Sequence, residues 1–401
     1  MINLELPEHL EGVSQMMRAV ATNVLRPVSR KYDTQEHDVP TELAVLDRRK
    51  MAARAAAGEK KATDPNAPRE VKNGQAMASV LSIEQMSWGD VGLMLSVPGA
   101  GLGNAAINAV ATAEQKERFG SVYASMAITE PASGSDSGSI GATAYLDGER
   151  DEWVLNGEKI FVTAGGRCDA VVVWATLDKS KGKSAIKSFV VMKGTPGMEV
   201  VKLEHKLGIR ASDTATILFT NCRIPRGNIL GREDVAEGGK REAFGKVMQT
   251  FDNTRPGVAA MSIGCARAAL DLTRELLEPE GLQLNYDKPL WDASAVEAEL
   301  YRMEADWEAA RLLVLRAAWM SDNGEPNSME ASMAKAKAGR VGNAITLRCV
   351  ELCGTVGYSD ATLLEKFARD SKILDIFEGT QQIQQLIVAR RLLNKSSAEL
   401  K

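Results

Sequence analysis

Histidine is nearly missing from this chain: His9, His37 and His205 are the only three in 401 residues. None has a second good ligand beside it at zinc-site spacing, so the sequence predicts neither a metalloenzyme nor a histidine-dependent nucleophilic triad. Cysteine is scarce as well, with Cys168, Cys222, Cys265, Cys349 and Cys353. Their odd number and wide spacing exclude a disulfide scaffold and fit a reducing compartment. Only Cys349 and Cys353 are close, at helical i, i+4 spacing, and free cysteine's habit of burial reads them as small core residues rather than a metal or redox pair. Excess charge is absent too: 49 basic against 53 acidic residues leave a net charge of −4. That excludes a broadly basic face for nucleic acid or an anionic membrane. No long uncharged apolar run exists, which excludes a membrane-spanning helix. The opening "MINLELPEHL" is too polar for a secretory signal, so the expectation is a cytoplasmic protein.

What is present is ordinary for a soluble globular chain: 44% hydrophobic and 25% charged residues, with length for two or three domains. The reading is an α+β multidomain protein. Residues 1–124 form an N-terminal helical domain, with "PEHLEGVSQMMRAVATNVLRPVSRKY", "AMASVLSIEQM" and "GNAAINAVATAEQKERFG" as helical stretches. The polar segment 52–74, with its charges and two prolines, reads as an exposed loop. Residues 125–235 turn to β. "EWVLNGEKIFVTA" carries Asn156-Gly157 between strand-like runs, which predicts a hairpin. "DAVVVWATL", "IKSFVVMKGTPG", "MEVVKLEH" and "TATILFTNCRIP" follow, so a β-barrel or sandwich is expected. Residues 236–401 return to helix. Val296, Leu300, Met303, Trp307, Ala310 and Val314 recur in alternating four- and three-residue steps, one apolar face of a helix. "SMAKAKAGRVGNAITLRCVELCGTVG" and "QIQQLIVARRLL" supply further helices, and a C-terminal four-helix bundle is expected.

Four stretches could carry chemistry. "PGAGLGNAAI" (98–107) is glycine-rich, but its spacing is GxGxG and no βαβ pattern follows, so it reads as a turn between helices. "MAITEPASGSDSGS" (126–139) offers hydroxyls and backbone donors. It is either a flexible linker or a surface for a flat polar cofactor, with Thr129 and Ser135 as donors. In "FDNTRPGVAA" (251–260), Asp252 and Arg255 lie about one turn apart, with Pro256 expected to kink the helix. They form either an exposed ion pair or a clamp for a polar or phosphorylated ligand. In "ILDIFEGTQQIQQ" (373–385), Thr380 is a natural N-cap for the last helix. Glu378 then falls just outside it beside Phe377 and Ile376. It is either a solvated glutamate or a carboxylate made more basic by desolvation, suited to taking a proton next to a carbonyl.

The chain resembles the acyl-CoA dehydrogenase family of flavoenzymes. The resemblance runs over most of residues 75–395 and rests on "AITEPASGSD" (127–136), "LNGEKIFVTAGG" (155–166), "HKLGIRASDT" (205–214), "FDNTRP" (251–256) and "ARDSKILDIFEGTQQIQ" (368–384), in that order. It implies FAD as cofactor and oxidation of the Cα–Cβ bond of an acyl-CoA to the trans-2-enoyl-CoA, as in fatty-acid β-oxidation. The family's base falls on Glu378, and the position some relatives use instead is filled by Thr254, which cannot act as one. The family's donors to the thioester oxygen are a flavin ribityl hydroxyl and the backbone N–H of the base. By the same resemblance Met126, Ile128 and Thr129 would line the flavin, Phe161 would lie beside it where many relatives have Trp, and Thr163 would hydrogen-bond near it. Gly134 and Ser135 would meet the cofactor or the CoA arm. Asp252 and Arg255 would hold the CoA or thioester end, and Gly379, Thr380 and Gln382 would contact the adenosine-diphosphate half of FAD. Electrons would pass to an electron-transfer flavoprotein.

Two departures from the family imply a partner. Homomeric relatives complete each flavin site with an Arg-x-x-Phe-Gly stretch and a Gln-x-x-Gly-Gly stretch from a neighbouring subunit. Here those regions read "ELLEPEGLQLNYDK" (275–288) and "VELCGTVG" (350–357), with Glu351 in place of the amide and Thr355 in place of the second glycine. A carboxylate repels a pyrophosphate, and a Thr side chain blocks close backbone approach. The expectation is an α₂β₂ hetero-oligomer with a second acyl-CoA dehydrogenase-like chain, the alternative being a homotetramer. Two rival functions remain: an acyl-CoA oxidase-like flavoenzyme and a supporting subunit of a heteromeric dehydrogenase.

Overall fold

In the computed structural model the described residues are 6–47, 74–99, 101–235, 242–396 and 399, with the side chains of 242–253 and Leu290 excepted. Apart from Gly74, the predicted loop 52–74 lies outside them. The N-terminal stretch forms α1 (Glu8–Val20), a π-turn over Ala21–Leu25 and α2 (Ser29–Thr34). Then come α3 (Gln75–Gly89), α4 (Val91–Leu95), α5 (Leu102–Val110) and α6 (Ala113–Phe119). The glycine-rich segment lies between α4 and α5, as expected, with Ala100 outside the described residues and the helix under way from Leu102. Asn104 fixes it there: its Oδ1 accepts from Gly101 N at 3.0 Å and from Ala124 N at 2.9 Å.

The middle region is one seven-stranded sheet that curls, rather than two stacked sheets. Its strands are β1 (Ala124–Ala127), β2 (Thr143–Asp147), β3 (Glu152–Thr163), β4 (Ala170–Thr176), β5 (Ile186–Met192), β6 (Met198–Leu203) and β7 (Thr214–Pro225). Their order is β1-β4-β2-β3-β7-β6, with β5 also paired to β4. β4 is buried along its whole length, which suits its run of β-branched residues. Val171 and Val173 face one core with Trp153, Phe189 and Ile217, while Val172 and Trp174 face another with Ile107 and Phe119 from α5 and α6. The period of two thus divides one strand between two cores.

The Asn156-Gly157 hairpin is not formed. Both residues lie inside β3, where the register with β7 shifts between Leu155 and Gly157. Gly157 has φ +143°, and a Cβ there would come within 2.6 Å of the Ala142 Cβ. Its conformational freedom serves a β-bulge rather than a turn. The Asn156 Oδ1 accepts from Asn221 N at 2.8 Å across the bulge. The real β2–β3 connection is the turn after Asp147, which ends on Asp151 at φ +55°.

The long C-terminal helices are α7 (Glu242–Leu277), α8 (Ala295–Asp322), α9 (Ser328–Leu352) and α12 (Gln381–Leu393), with the shorter α10 (Gly354–Tyr358) and α11 (Leu364–Leu374) between. Helix α9 packs against the other three long ones. α7 contains Pro256 within its length. In α8, Ser294 and Glu297 form a reciprocal capping box. Leu300, Met303, Ala310 and Val314 are buried, and Val296 and Trp307 pack at the rim. Small residues let the helices approach closely: a Cβ at Gly264 of α7 would lie 2.2 Å from the Glu84 carbonyl of α3. Cys349 is core, as the burial habit of free cysteine predicts, and burial pushes its thiol up to about 12, while Cys353 is half-buried against the same core.

A buried charge cluster joins the three regions. The Lys366 Nζ on α11 donates to Asp90 Oδ2 at 2.6 Å and to Asp370 Oδ2 at 2.5 Å. Asp370 Oδ1 in turn accepts from Ile209 N of the "HKLGIRASDT" segment at 2.5 Å. Burial opposes the Lys366 charge, but Asp370 and Asp90 outweigh it and hold the ammonium protonated.

Candidate active site

The last helix begins as its sequence predicts: Thr380 is the N-cap of α12, and its hydroxyl accepts from Ile383 N at 3.4 Å. Just before it the chain takes two left-handed steps, Glu378 at φ +56° and Gly379 at φ +91°. A glutamate rarely adopts this conformation, so the surroundings must impose it. Two buried side chains do so. The Lys335 Nζ, reaching from α9, donates to the Gly379 carbonyl at 2.6 Å, and the Gln384 Nε2 donates to the carbonyls of Glu378 and Gly379 at 3.1 and 3.2 Å. This arrangement leaves the Glu378 N–H without an acceptor among the described residues.

The Glu378 side chain is half-buried and crowded. Burial pushes its carboxyl above the usual range, against a hydrogen bond from Thr254 and the charges of Arg255 and Lys335. The Thr254 Oγ1 donates to Glu378 Oε2 at 3.1 Å. The residue at the family's alternative base position is therefore hydrogen-bonded to the carboxylate. Lys335 is only 1% exposed, and burial lowers its ammonium to about 8 despite Asp375 and Glu378. Arg255 is 7% exposed, which overturns the exposed ion-pair reading. The side chain of its expected partner Asp252 lies outside the described residues. Of the two apolar neighbours, Phe377 packs against the helical core, but Ile376 is 46% exposed and does not shield the carboxylate as expected.

A second group gathers where β1 ends beside β3. Met126 and Ile128 are half-buried against the sheet's second core. The Ile160 N donates to the Thr129 carbonyl at 2.9 Å, bringing Thr129 next to Phe161. Phe161 sits at a register shift of β3 with φ +56° and is 60% exposed. Thr163 ends the strand, half-buried, paired with Thr214. Gly134 and Ser135 are exposed on the following loop, and a Cβ on Gly134 would lie 3.9 Å from the Thr129 methyl. A buried pair stiffens this corner: the Lys159 Nζ donates to Glu130 Oε1 at 2.6 Å and to the Ile128 carbonyl at 3.1 Å. The Glu130 carboxylate also accepts from Gly141 N and Ala142 N. Burial works against its charge, but Lys159 and these N–H groups hold its carboxyl below the usual range.

An exposed aromatic beside hydroxyls and backbone groups suits a flat ring cofactor. The N-terminus of the thirteen-residue α12, with the exposed Gln382 beside Thr380, suits a diphosphate arm. Lys335, Gln384, Glu130 and Lys159 were not singled out from the sequence. One signal was available for the first: Lys335 shares a helical face with Ala331, Ala334 and Ala338, all buried, and a lysine on an apolar face is unusual.

Comparison with known proteins agrees. Residues 7–127 match the acyl-CoA dehydrogenase N-terminal domain, 125–222 its middle domain and 244–393 its C-terminal domain. The chain is 35% identical over 401 residues to the mitochondrial short-chain specific acyl-CoA dehydrogenase of Bos taurus, covering 98% of this chain and 92% of that one. The butyryl-CoA dehydrogenase structure from Megasphaera elsdenii superposes with a TM-score of 0.80 at 29% identity, covering 98% of this chain and all of that one. A chain in a structure described as the electron transferring flavoprotein of Acidaminococcus fermentans gives 0.81 at 30% identity, with 98% and 100% covered. The chain belongs to the acyl-CoA dehydrogenase family. It is accordingly an oxidoreductase acting on acyl-CoA with FAD as its cofactor. No described helix is long and apolar enough to cross a membrane.

Proposed function

We propose that this chain dehydrogenates an acyl-CoA thioester between Cα and Cβ to the trans-2-enoyl-CoA, with Glu378 as the base that removes the α-proton. The observation that carries this reading is the Glu378 carboxylate itself: half-buried, hydrogen-bonded by Thr254 and held in a left-handed turn by Lys335 and Gln384. Desolvation raises its basicity, which narrows the gap to a weakly acidic α-proton. The Glu378 N–H, which has no acceptor among the described residues, would donate to the thioester oxygen as charge develops there. Arg255 and Lys335 surround the carboxylate with positive charge, and Arg255, with Asp252, orients the thioester and CoA end. Bound FAD would accept the hydride from Cβ. Met126, Ile128, Thr129, Phe161 and Thr163 would face its ring, Gly134 and Ser135 its edge or the CoA arm, and Gly379, Thr380 and Gln382 its diphosphate half. An electron-transfer flavoprotein would take the electrons onward. Replacing Glu378 by Gln keeps shape and removes the base, so flavin bleaching by acyl-CoA in stopped flow should slow by about 10²–10⁴-fold. Undiminished bleaching would remove Glu378 from this role.

The chain is further proposed to work beside a second acyl-CoA dehydrogenase-like chain in an α₂β₂ assembly. Two features support this. Glu351 is exposed and paired to Arg348 at 2.6 Å, a poor neighbour for a pyrophosphate, and Thr355 is exposed beyond it. Around them Leu347, Val356 and Tyr358 are exposed, the last at 81%, an apolar surface that fits a protein partner.

A further inference from the structure

We infer that Glu36, His37 and His205 form a binding site for a single divalent transition-metal ion, zinc by the chemistry of its donors. Sequence spacing gave no hint of it, because the two histidines are far apart in the chain. The fold brings them together: Glu36 and His37 follow α2, and His205 follows β6. One donor atom from each residue lies within 4.8 Å of the other two. The His205 Nδ1 is 2.9 Å from Glu36 Oε2, and the His37 and His205 rings lie 4.9 Å apart, tilted by 54°.

Three observations set this cluster apart from a surface ion pair. Both ring nitrogens of His37 are buried and have no hydrogen-bond partner among the described residues. An imidazole always has at least one N–H to donate, so leaving both nitrogens unpaired is costly without a ligand. His37 also sits at φ +78°, a strained conformation for a non-glycine. The strain is held in place from outside: the Arg167 Nη2 donates to the carbonyls of His37 and Asp38 at 3.2 and 2.8 Å. Finally, the Glu36 carboxylate is oriented as an outer-shell partner orients a ligand, with Oε1 accepting from Lys206 N at 2.9 Å while Oε2 faces His205.

Two imidazoles, one carboxylate and a water complete a four-coordinate zinc site, whose ligand atoms lie about 3.3 Å apart. Small side-chain turns reach that geometry, and His205, with a side chain 79% exposed, is free to make one. The Lys206 Nζ, 3.7 Å from Glu36 Oε1, opposes a cation there. The affinity should therefore fall below that of a thiolate site. The bound ion would latch the segment after α2 to the sheet.

Metal-stripped full-length protein, with its partner chain where it co-purifies, is titrated with zinc chloride by calorimetry, and Tm is measured with and without zinc. The expected result is a single ion per chain and a rise in Tm. His205→Ala and His37→Ala should each weaken binding by about tenfold or more and abolish the rise. His205 is exposed, so its alanine variant should fold, and unchanged flavin content and circular dichroism confirm that. No binding by the wild type, or binding and a Tm rise that survive His205→Ala, would overturn the inference.

Discussion

At the scale of single residues, the proposed base Glu378 is tuned by three groups far from it in sequence, Thr254, Arg255 and Lys335. Glu378 has its pKa raised, chiefly by burial, so its ionised form costs the folded state. The sign of the linkage follows. The folded state holds this proton to higher pH than the unfolded chain does, so the native preference is lost as pH rises through the folded value. Glu378→Gln, which mimics the neutral form, should therefore raise Tm at neutral pH. The gain should vanish below the unfolded carboxylate range, about 4. A variant no more stable than wild type at neutral pH would mean the carboxylate is well solvated. Lys335 acts on the same group twice, through its charge and through the Gly379 carbonyl. Lys335→Met should lower kcat by about tenfold or more and move the acid limb of the kcat/KM profile to higher pH, because the ammonium that favours the carboxylate is gone. A packing role alone would lower Tm and leave that limb in place.

At the scale of elements, the helices and most strands were legible because periodicity reports burial. The six apolar positions from Val296 to Val314 do face the core, and the valines of β4 do form a strand buried on both faces. The Asn156-Gly157 pair misled because a left-handed glycine serves a bulge as well as a turn, and only the partner strand decides between them. Gly157→Ala tests the bulge. The added methyl would meet Ala142 at 2.6 Å in an unfavourable φ, and the loss of stability should be about 1–3 kcal/mol, read from denaturant midpoints. A neutral substitution would show that the sheet relaxes there. Within the site, Glu378, Thr380 and Arg255 were readable as candidates because each belongs to a local motif. Lys335 left one signal, a lysine on an apolar helical face, and Gln384 lies in the same stretch as Glu378, yet neither role follows from the local pattern; the pairing of His37 with His205 was not readable, since tertiary packing alone assembles it.

At the scale of the whole molecule, the family's three domains are present, and the proposed assembly rests on the surface that carries Glu351 and Thr355. Size-exclusion chromatography with flavin quantitation should find this chain flavin-poor when expressed alone. Co-expression with its partner should give an α₂β₂ complex with about half the flavins of a homotetrameric relative. A fully active homotetramer with one FAD per chain would rule this assembly out. The activity proposed for the turn before α12 is flavin-linked desaturation of an acyl-CoA. The most direct measurement is an anaerobic titration of the flavin-loaded complex with a saturated acyl-CoA, following the flavin band and the product together. The flavin band should bleach, with the reaction ending at one trans-2-enoyl-CoA per flavin bound. Flavin-loaded protein that binds saturated acyl-CoA thioesters across chain lengths yet keeps an unbleached band and releases no enoyl product would contradict it.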